Sequence, residues 1–347
     1  MWRMLEWLAE VEAEAAERLP WYVREYFAGT VGSTGQRDRA LAEWDAIRFR
    51  PAVLRGGRDV DLRTRVLGQE LTSPVMVPPM SQQLAAHPAG DAETAAGVRR
   101  AGSLLGISTN TGVEFERIAA AGAPWWFQLY AMNVPEVEHQ LVDRAVAAGA
   151  SALILTVDLS VAPMSRPGVD PLQWPDGPGK RRYANVDAAL AAGASRGFRP
   201  VGPDDVRDLV DRSGLPVVVK GVLRADDART AVDAGASGVI VSTHGDRRMP
   251  GSVSSLRALP EVVAAVDGRA EVYVDSGIRS GAHVLAALAL GARAVFVGRP
   301  ILWALAARGA GGVAEALELF AADTARALAQ SGLPRLADVG PDLLDGI

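Results

Sequence analysis

From Ser73 onward, short apolar runs alternate with stretches of helical periodicity, and turn residues separate them. The runs are rich in Val, Ile and Leu, which is typical of strands that are buried on both faces. The pattern predicts eight strands, at Val75–Val77, Ser103–Ser108, Trp126–Tyr130, Ala152–Val157, Pro216–Lys220, Gly238–Ser242, Val272–Val274 and Ala294–Val297. It predicts helices between them, including Asp91–Ala101, Glu114–Ala120, Val134–Ala148, Asp204–Ser213, Ala225–Ala234 and Leu256–Val266.

Eight strands alternating with helices favour an α/β fold, a parallel (β/α)8 TIM barrel. An open doubly wound sheet is the alternative, and the count of eight favours the barrel. The first 72 residues lack this period. Their apolar positions recur at helical spacing on either side of Pro20, and a hairpin pattern follows near Val66. We therefore predict an N-terminal helical cap and hairpin over residues 1–72, and a barrel over residues 73–347.

One long connection, residues 159–203, follows the fourth predicted strand. It is rich in Pro, Gly and Arg and shows no clear periodicity. A loop of this length inside a compact domain is usually functional or disordered. We predict that it forms a lid over the carboxyl ends of the strands.

The last two predicted strands each run into a glycine-rich turn that contains an arginine. The first turn reads Asp275-Ser-Gly277-Ile-Arg279, and the second reads Gly298-Arg299-Pro. Glycines let backbone N–H groups approach an anion, a helix N-terminus adds its dipole, and arginine supplies forked donors. Since barrels often bind phosphate after their last two strands, these turns predict a phosphate site.

Composition narrows the class of ligand. The chain has 347 residues, of which 49% are hydrophobic and 22% charged, as in a soluble globular protein. A net charge of -5 offers no general attraction to nucleic acid or to an anionic membrane. The absence of cysteine excludes disulfides, thiolate nucleophiles and cysteine-ligated metals. With that charge we expect a small-molecule partner. The N-terminus becomes acidic before a long apolar run develops, so we expect neither a secretory signal nor a membrane span. We therefore expect a cytoplasmic location.

Several reactive side chains fall where the predicted strands end, which is where barrel active sites lie. His244 follows the sixth strand, and a histidine of near-neutral pKa is suited to accept a proton. Asp158, after the fourth strand, can fix the tautomer of such a base, and Arg247 can hold an anionic substrate. Lys220 at the end of the fifth strand is either a strand-end lysine exposed to solvent or a group that faces a cofactor.

The stretches that carry these residues resemble the FMN-dependent α-hydroxy-acid oxidases and dehydrogenases, such as glycolate oxidase, lactate oxidase, mandelate dehydrogenase and hydroxymandelate oxidase. The resemblance extends over about residues 15–337. Its motifs follow in the family's order: Trp126-Phe-Gln-Leu-Tyr130, Leu155-Thr-Val-Asp158, Val219-Lys-Gly221, Val241-Ser-Thr-His244-Gly-Asp-Arg247 and Asp275-Ser-Gly-Ile-Arg279-Ser-Gly281.

The resemblance implies an FMN cofactor and oxidation of a 2-hydroxy acid to a 2-keto acid. It implies that His244 takes the hydroxyl proton while hydride passes to flavin N5, with Asp158 as its partner. Arg247 would hold the substrate carboxylate, helped by Tyr130 and Tyr26. The cofactor would lie among Pro79, Met80, Ser108, Gln128, Thr156, Lys220, Ser242, Asp275, Gly277, Arg279, Gly298 and Arg299. The resemblance also implies a homo-oligomer, a tetramer.

The chain departs from the family pattern at three places. The family usually has Ser-Asn-His-Gly-Gly/Ala-Arg-Gln where this chain has Ser-Thr-His-Gly-Asp-Arg-Arg, which brings Asp246 near the base. Pro79 stands where Thr is common. The Gly-Arg-Arg expected soon after Thr-Val-Asp is missing, and Arg166, about one position off, is the candidate for the lost substrate contact.

Three other functions stay open. The first is FMN-dependent oxidation of an alcohol or a biosynthetic intermediate that lacks a free carboxylate. The second is a barrel that binds flavin or another phosphate ligand without catalysis. The third is an isomerase or aldolase in which Lys220 forms a Schiff base. Within the 2-hydroxy-acid hypothesis, Trp125, Trp126 and Trp174 favour an aromatic substrate.

Overall fold

The computed structural model describes residues 2–30, 35–55, 60–159, 169–175, 183–189 and 197–346. Within these ranges the helices are α1 (Trp2–Arg18), α2 (Trp21–Ala28), α3 (Gly35–Asp45), α4 (Gln83–Ala86), α5 (Asp91–Ala101), α6 (Phe115–Ala119), α7 (Pro135–Ala147), α8 (Ala184–Ala189), α9 (Pro203–Ser213), α10 (Ala225–Asp233), α11 (Ser255–Val266), α12 (Gly281–Ala289) and α13 (Arg299–Gln330). The strands are β1 (Thr64–Val66), β2 (Gln69–Leu71), β3 (Val75–Met76), β4 (Leu105–Ser108), β5 (Trp125–Tyr130), β6 (Ala152–Thr156), β7 (Val217–Val222), β8 (Gly238–Val241), β9 (Glu271–Val274) and β10 (Ala294–Phe296).

Strands β3 to β10 form a parallel sheet in which, from β4 onward, each strand pairs with the next along the chain, and β10 pairs with β3. Between β3 and β4, the N–H of Val77 donates to the carbonyl of Leu104 (2.9 Å) and the N–H of Gly106 donates to Val77 (2.8 Å). The predicted (β/α)8 barrel is therefore confirmed, and each predicted strand has its counterpart.

The amino-terminal end of the barrel interior is filled by large side chains. Trp126, Tyr273 and Phe296 meet edge to face, with ring centroids 5.5 to 6.1 Å apart. The β1–β2 hairpin packs against the same cluster. Glu271 joins the two, because it accepts hydrogen bonds from the N–H of Leu67 (3.1 Å) and from the hydroxyl of Tyr273 (2.6 Å). With this end filled, the opposite end is left for a ligand.

The N-terminal helices share one hydrophobic core with the helices around the barrel. Helix α1 buries Val11 and Ala15 completely. Arg308 in α13 forms ion pairs with Glu10 (2.6 Å) and Glu14 (2.5 Å) of α1. The cap is thus fixed on the barrel, and the end of α2 lies near the carboxyl ends of the strands. None of the described helices combines the length and apolar character that a bilayer crossing requires.

Trp44 docks α3 against the turn that follows β9. Its indole N–H donates to the carbonyl of Ser276 (3.1 Å), and its ring stacks on His283, with centroids 5.8 Å apart. The ring also lies where a side chain at Gly277 would project, since a Cβ there would be 2.7 Å from Trp44 Cδ1. Gly277 has φ 92°, a conformation that glycine adopts without steric cost.

The described parts of the segment 159–203 contain regular structure, so the prediction of a loop without helical character is wrong for them. Residues Pro171–Gln173 form a 3-10 turn, and α8 follows. Asn185 fixes α8, because its side-chain carbonyl accepts from the N–H of Phe115 (3.3 Å) and its amide donates to Val113 (3.0 Å). Part of the anchoring therefore comes from a buried amide, which hydrophobic periodicity cannot reveal.

Replacing Trp44 with alanine tests the role of α3 in forming the predicted phosphate turn. Removing a large aromatic side chain that is 1% exposed should lower the free energy of unfolding by about 3–5 kcal/mol. Trp21→Ala is the matched control, because that side chain is 56% exposed and should cost about 0.5 kcal/mol or less. Denaturant midpoints measure both, and equal effects of the two substitutions would contradict the docking role.

Candidate active site

His244 and Asp158 form a hydrogen-bonded pair at the carboxyl end of the barrel. His244 Nδ1 lies 3.0 Å and 3.2 Å from the two carboxylate oxygens of Asp158. A nitrogen that faces a carboxylate carries the hydrogen, so the lone pair is on Nε2. The sequence predicted this pair, and the structure brings the two residues together from β6 and β8.

Burial and charge set the protonation of the pair. Burial lowers the pKa of His244 against the opposing effect of Asp158, and the positive charges of Lys220 and Arg248 lower it further. Burial alone would raise the pKa of Asp158, but His244, Lys220 and Arg248 together hold it well below its ordinary value. At neutral pH the pair is a neutral imidazole beside a carboxylate, which is the state a general base requires.

The loop after β8 has an unusual backbone. His244, Gly245 and Asp246 all have positive φ, at 57°, 67° and 62°. For residues with side chains this conformation is uncommon and is found most often at functional sites. Ser276 holds the loop, since its hydroxyl accepts from the N–H of Thr243 (3.3 Å) and of Gly245 (3.0 Å).

Two tyrosines approach this loop from different elements. The hydroxyl of Tyr130, at the end of β5, lies 3.4 Å from His244 Nε2, and burial raises the pKa of this phenol. The hydroxyl of Tyr26, in α2, is 2.8 Å from Ser81 Oγ, and its ring meets Trp174 edge to face at 5.5 Å. Both predicted tyrosines therefore border the site, although only Tyr130 contacts the histidine.

Arg247 and Arg248, adjacent in sequence, make different contacts. Arg247 Nη1 donates to the carbonyls of Tyr26 (2.6 Å) and Gly29 (3.1 Å), and its guanidinium lies 4.8 Å from the Tyr26 ring centre. Arg248 Nη2 lies 3.3 Å from His244 Nε2. Sequence reasoning chose Arg247 and missed Arg248. The available signal was the Arg-Arg pair where the family pattern has Arg-Gln.

Asp246 does not face the base. Thr243 Oγ1 donates to its carboxylate at 3.0 Å, and the N–H of Asp246 donates back to Thr243 Oγ1 at 3.2 Å. Burial raises the pKa of Asp246, and the positive charges of Arg299 and Arg279 partly offset this increase. The expectation that this residue alters the surroundings of His244 is therefore wrong, because the left-handed turn directs its carboxyl towards Thr243.

Polar groups without partners line the interior beside the histidine. Among the described residues, Gln128 Nε2 and Thr156 Oγ1 are buried and have no hydrogen-bond partner. Ser108 Oγ donates to Gln128 Oε1 (3.2 Å), which fixes the orientation of that amide. An orphaned buried donor costs about 1–3 kcal/mol, so two neighbouring ones indicate a ligand with polar edges.

Lys220 lies in the same interior wall. Its Nζ donates to Ser242 Oγ at 2.8 Å and forms an ion pair with Asp275 Oδ2 at 3.2 Å. Ser242 Oγ in turn accepts the N–H of His244 at 3.0 Å. A buried ammonium held in this way presents a fixed positive charge beside the base.

The predicted phosphate turns meet at the rim. Gly298 precedes the first turn of α13, and a Cβ there would approach Pro78 (3.4 Å) and Met80 (3.5 Å), so the half-buried Met80 borders the turn. Arg299 Nη2 donates to the carbonyls of Gly29 and Gly245, both at 2.8 Å. Arg279 Nη1 donates to Ile278 (2.7 Å). Pro79, also half-buried, packs over Gly106, where a Cβ would be 2.6 Å from its ring.

Some predicted residues are not brought to the site. Trp125 packs on Phe115, and Trp126 belongs to the aromatic cluster at the amino-terminal end, so the use of these two to predict an aromatic substrate is wrong. They begin β5, whose other end carries Tyr130. Arg166 lies outside the described residues.

A model of the family described as FMN-dependent dehydrogenase matches residues 15–346. The chain belongs to the FMN-dependent dehydrogenase family. It is 38% identical to the 4-hydroxymandelate oxidase of Amycolatopsis orientalis over 94% of each chain, and 37% identical to the L-lactate oxidase of Nostoc sp. over 97% of each. A solved mandelate oxidase with (S)-2-phenylpropionate superposes with a TM-score of 0.88 at 38% identity and 97% coverage of both chains.

The cofactor of this family is FMN, and the residues present fit it. The unpaired amide donor of Gln128 and the unpaired hydroxyl of Thr156 are suited to the polar edges of the isoalloxazine ring. Lys220 places a positive charge in the same wall, and the glycine turn at the start of α13 suits a phosphate. The chain is an oxidoreductase acting on CH–OH groups, as its named oxidase relatives support.

Thr156→Val tests whether the Thr156 hydroxyl binds FMN. The substitution should not lower the stability of the FMN-free protein, but it should weaken FMN binding. Without cofactor, replacing a partnerless buried hydroxyl with a methyl group should leave the stability unchanged or raise it. With cofactor, the loss of one hydrogen bond should raise the dissociation constant for FMN about two- to tenfold. Thermal unfolding and FMN titration measure the two effects. Thr230→Val on the exposed face of α10 is the control, and an unchanged FMN affinity in Thr156→Val would contradict the assignment.

Proposed function

We propose that this protein oxidises a 2-hydroxy acid to the 2-keto acid, with His244 as the general base. The observation that carries the proposal is the His244–Asp158 pair, whose hydrogen-bonding leaves Nε2 directed towards Tyr130 and Arg248 at the barrel mouth. The reaction requires a base, a carboxylate that orients this base, and a cationic group near the reacting atom, and the three lie together here.

His244 Nε2 accepts the hydroxyl proton of the substrate, and Asp158 stabilises the imidazolium that results. Tyr130, whose phenol stays protonated because burial raises its pKa, donates a hydrogen bond to the oxygen that loses the proton. When bound, FMN supplies the acceptor for the hydride that leaves the α-carbon. Lys220 provides positive charge at the cofactor side of the site. Arg247 and Tyr26 border the substrate side, where the family pattern expects the carboxylate.

The remaining alternatives fit these contacts less well. A Schiff-base lysine must be neutral, whereas Lys220 forms a buried ion pair with Asp275. A barrel that only bound flavin would not require His244 and Asp158 in a catalytic arrangement. The homotetramer and the cytoplasmic location remain predictions from the resemblance and the composition.

An aromatic 2-hydroxy acid is the substrate class that we favour. Trp174, Tyr22 and Tyr26 form one aromatic group, with Trp174 5.3 Å from the Tyr22 ring and 5.5 Å from the Tyr26 ring. On the other side, Phe198 packs on Tyr130 at 5.4 Å. The 38% identical relative is a hydroxymandelate oxidase, in keeping with such surroundings.

A substrate without a free carboxylate is the second candidate. The observation that favours it is the engagement of Arg247 Nη1 by backbone carbonyls of the cap. An alcohol or a neutral intermediate would not need that guanidinium.

Anaerobic mixing with glycolate, lactate and mandelate tests the function. Mandelate should bleach the flavin absorbance of the FMN-loaded protein fastest. His244→Asn, which keeps the polarity of the side chain but removes the base, should slow bleaching by about 10²- to 10⁴-fold. His139→Asn on α7 is the matched control. Flavin that never bleaches with any of the three acids would move the assignment to the second candidate, and unchanged bleaching in His244→Asn would reject His244 as the base.

The pH dependence of kcat/KM should reflect the lowered pKa of His244. A base works only when unprotonated, and an ordinary histidine becomes protonated below about pH 6.5. Because burial, Lys220 and Arg248 depress this pKa against the charge of Asp158, activity should persist below pH 6.5 and fall only at more acidic pH. Carboxylic substrates stay ionised over most of this range, with a pKa of about 3.5. Measurement from pH 4.5 to 9 with retained flavin checks this. An acid limb above pH 7 would contradict it.

A further inference from the structure

Arg248 contacts the base His244, although the sequence analysis gave this arginine no role. It follows Arg247 in the loop after β8, yet its guanidinium turns to the base while that of Arg247 contacts the cap. The left-handed residues 244–246 precede the pair and set the direction in which each side chain leaves the loop.

Two of the three guanidinium nitrogens of Arg248 are buried, and the described residues offer this group no ion pair. In the described part of the chain, its Nε and Nη1 are inaccessible to solvent and have no hydrogen-bond partner. The carboxylate of Asp158 lies near enough for Arg248 to lower its pKa, but it is hydrogen-bonded to His244 Nδ1, at a different edge of the imidazole from Arg248. A buried charge is costly unless it is paired, so this arrangement calls for an anion supplied from outside the chain.

The position relative to His244 indicates which anion. Arg248 Nη2 is 3.3 Å from Nε2, the atom that would accept the substrate's hydroxyl proton. In a 2-hydroxy acid the hydroxyl and the carboxylate are on adjacent carbons. A hydroxyl at Nε2 therefore brings the carboxylate next to the guanidinium, whose planar fork of donors suits a planar, two-oxygen acceptor.

We propose that Arg248 binds the carboxylate of the 2-hydroxy acid and so selects for acids over neutral alcohols, an inference that rests on the proposed function. The chain has lost the Gly-Arg-Arg that its family pattern places after Thr-Val-Asp, and it has gained an arginine where that pattern has glutamine. Arg248 supplies the charge that the displaced motif would have supplied, from the other side of the base.

Arg248→Gln and Arg248→Lys test the proposal by ligand binding and by turnover. Binding of benzoylformate, a 2-keto acid, is followed through the absorbance of bound FMN, with neutral 2-hydroxy-phenylacetamide for comparison. Loss of a charge-assisted, two-oxygen contact should weaken benzoylformate binding and raise KM for mandelate about ten- to hundredfold in Arg248→Gln. Binding of the amide should change less than about threefold. Arg257→Gln on the exposed face of α11 is the control.

Two further measurements separate substrate binding from a structural role. Removing a buried charge without a partner should leave the unfolding temperature of the ligand-free Arg248→Gln protein unchanged or higher, whereas loss of a structural arginine lowers it. The acid limb of kcat/KM should move to higher pH in Arg248→Gln and stay in place in Arg248→Lys, which keeps the charge beside His244.

The outcomes distinguish this proposal from the proposed function. Suppose that the wild type oxidises mandelate, and that Arg248→Gln binds benzoylformate and mandelate as tightly as the wild type does. Arg248 is then not the carboxylate residue, and the proposed function stands. If no 2-hydroxy acid reduces the flavin but benzoylformate binds and Arg248→Gln weakens it selectively, the carboxylate site stands without the reaction. Equal weakening of the acid and the amide, or a lowered unfolding temperature, would overturn the proposal.

Discussion

The hydrogen bond between Asp158 and His244 is the interaction on which the rest of the site depends. It joins the ends of β6 and β8, fixes which imidazole nitrogen carries the lone pair, and directs that lone pair towards the barrel mouth. Lys220 reaches the same loop from the intervening strand β7, through Ser242. Three neighbouring strands of the parallel sheet thus contribute a carboxylate, an ammonium and an imidazole to one rim of the barrel.

Much of this arrangement could be predicted because its signals are local. The eight strands are short, apolar and separated by turns, and parallel strands bring their carboxyl ends to one rim, so Asp158, Lys220 and His244 could be placed together before any coordinates. The glycine turns at Gly277 and Gly298 were also visible, and the positive φ of Gly277 accounts for glycine at that position. That the two turns act as one phosphate site remains a prediction, which the family assignment supports.

Features that depend on contacts between distant segments could not be predicted. No periodicity indicates that Trp44 fills the space above Gly277, or that Asn185 anchors α8 on the start of α6. Trp126 lies at the start of a strand whose other end carries Tyr130, and sequence alone does not say that an aromatic cluster fills the amino-terminal end of the barrel. The directions of Arg247 and Arg248 depend on three backbone dihedrals at 244–246, which the residue types only partly restrict.

The site as a whole is a source of instability that the fold tolerates. In the described part of the chain, Gln128, Thr156 and two guanidinium nitrogens of Arg248 are buried polar groups without hydrogen-bond partners, and the loop at His244 has strained residues. Each would be a defect in a structural core, and under the proposed function each lies where a cofactor or an anionic substrate would supply the missing partner. The stability comes from elsewhere: the filled amino-terminal end of the barrel, the docked cap and the helices around it. Because these costs converge on one rim, ligand binding both completes the chemistry and relieves the strain, so binding of FMN and of substrate should be coupled to the order of the same loop.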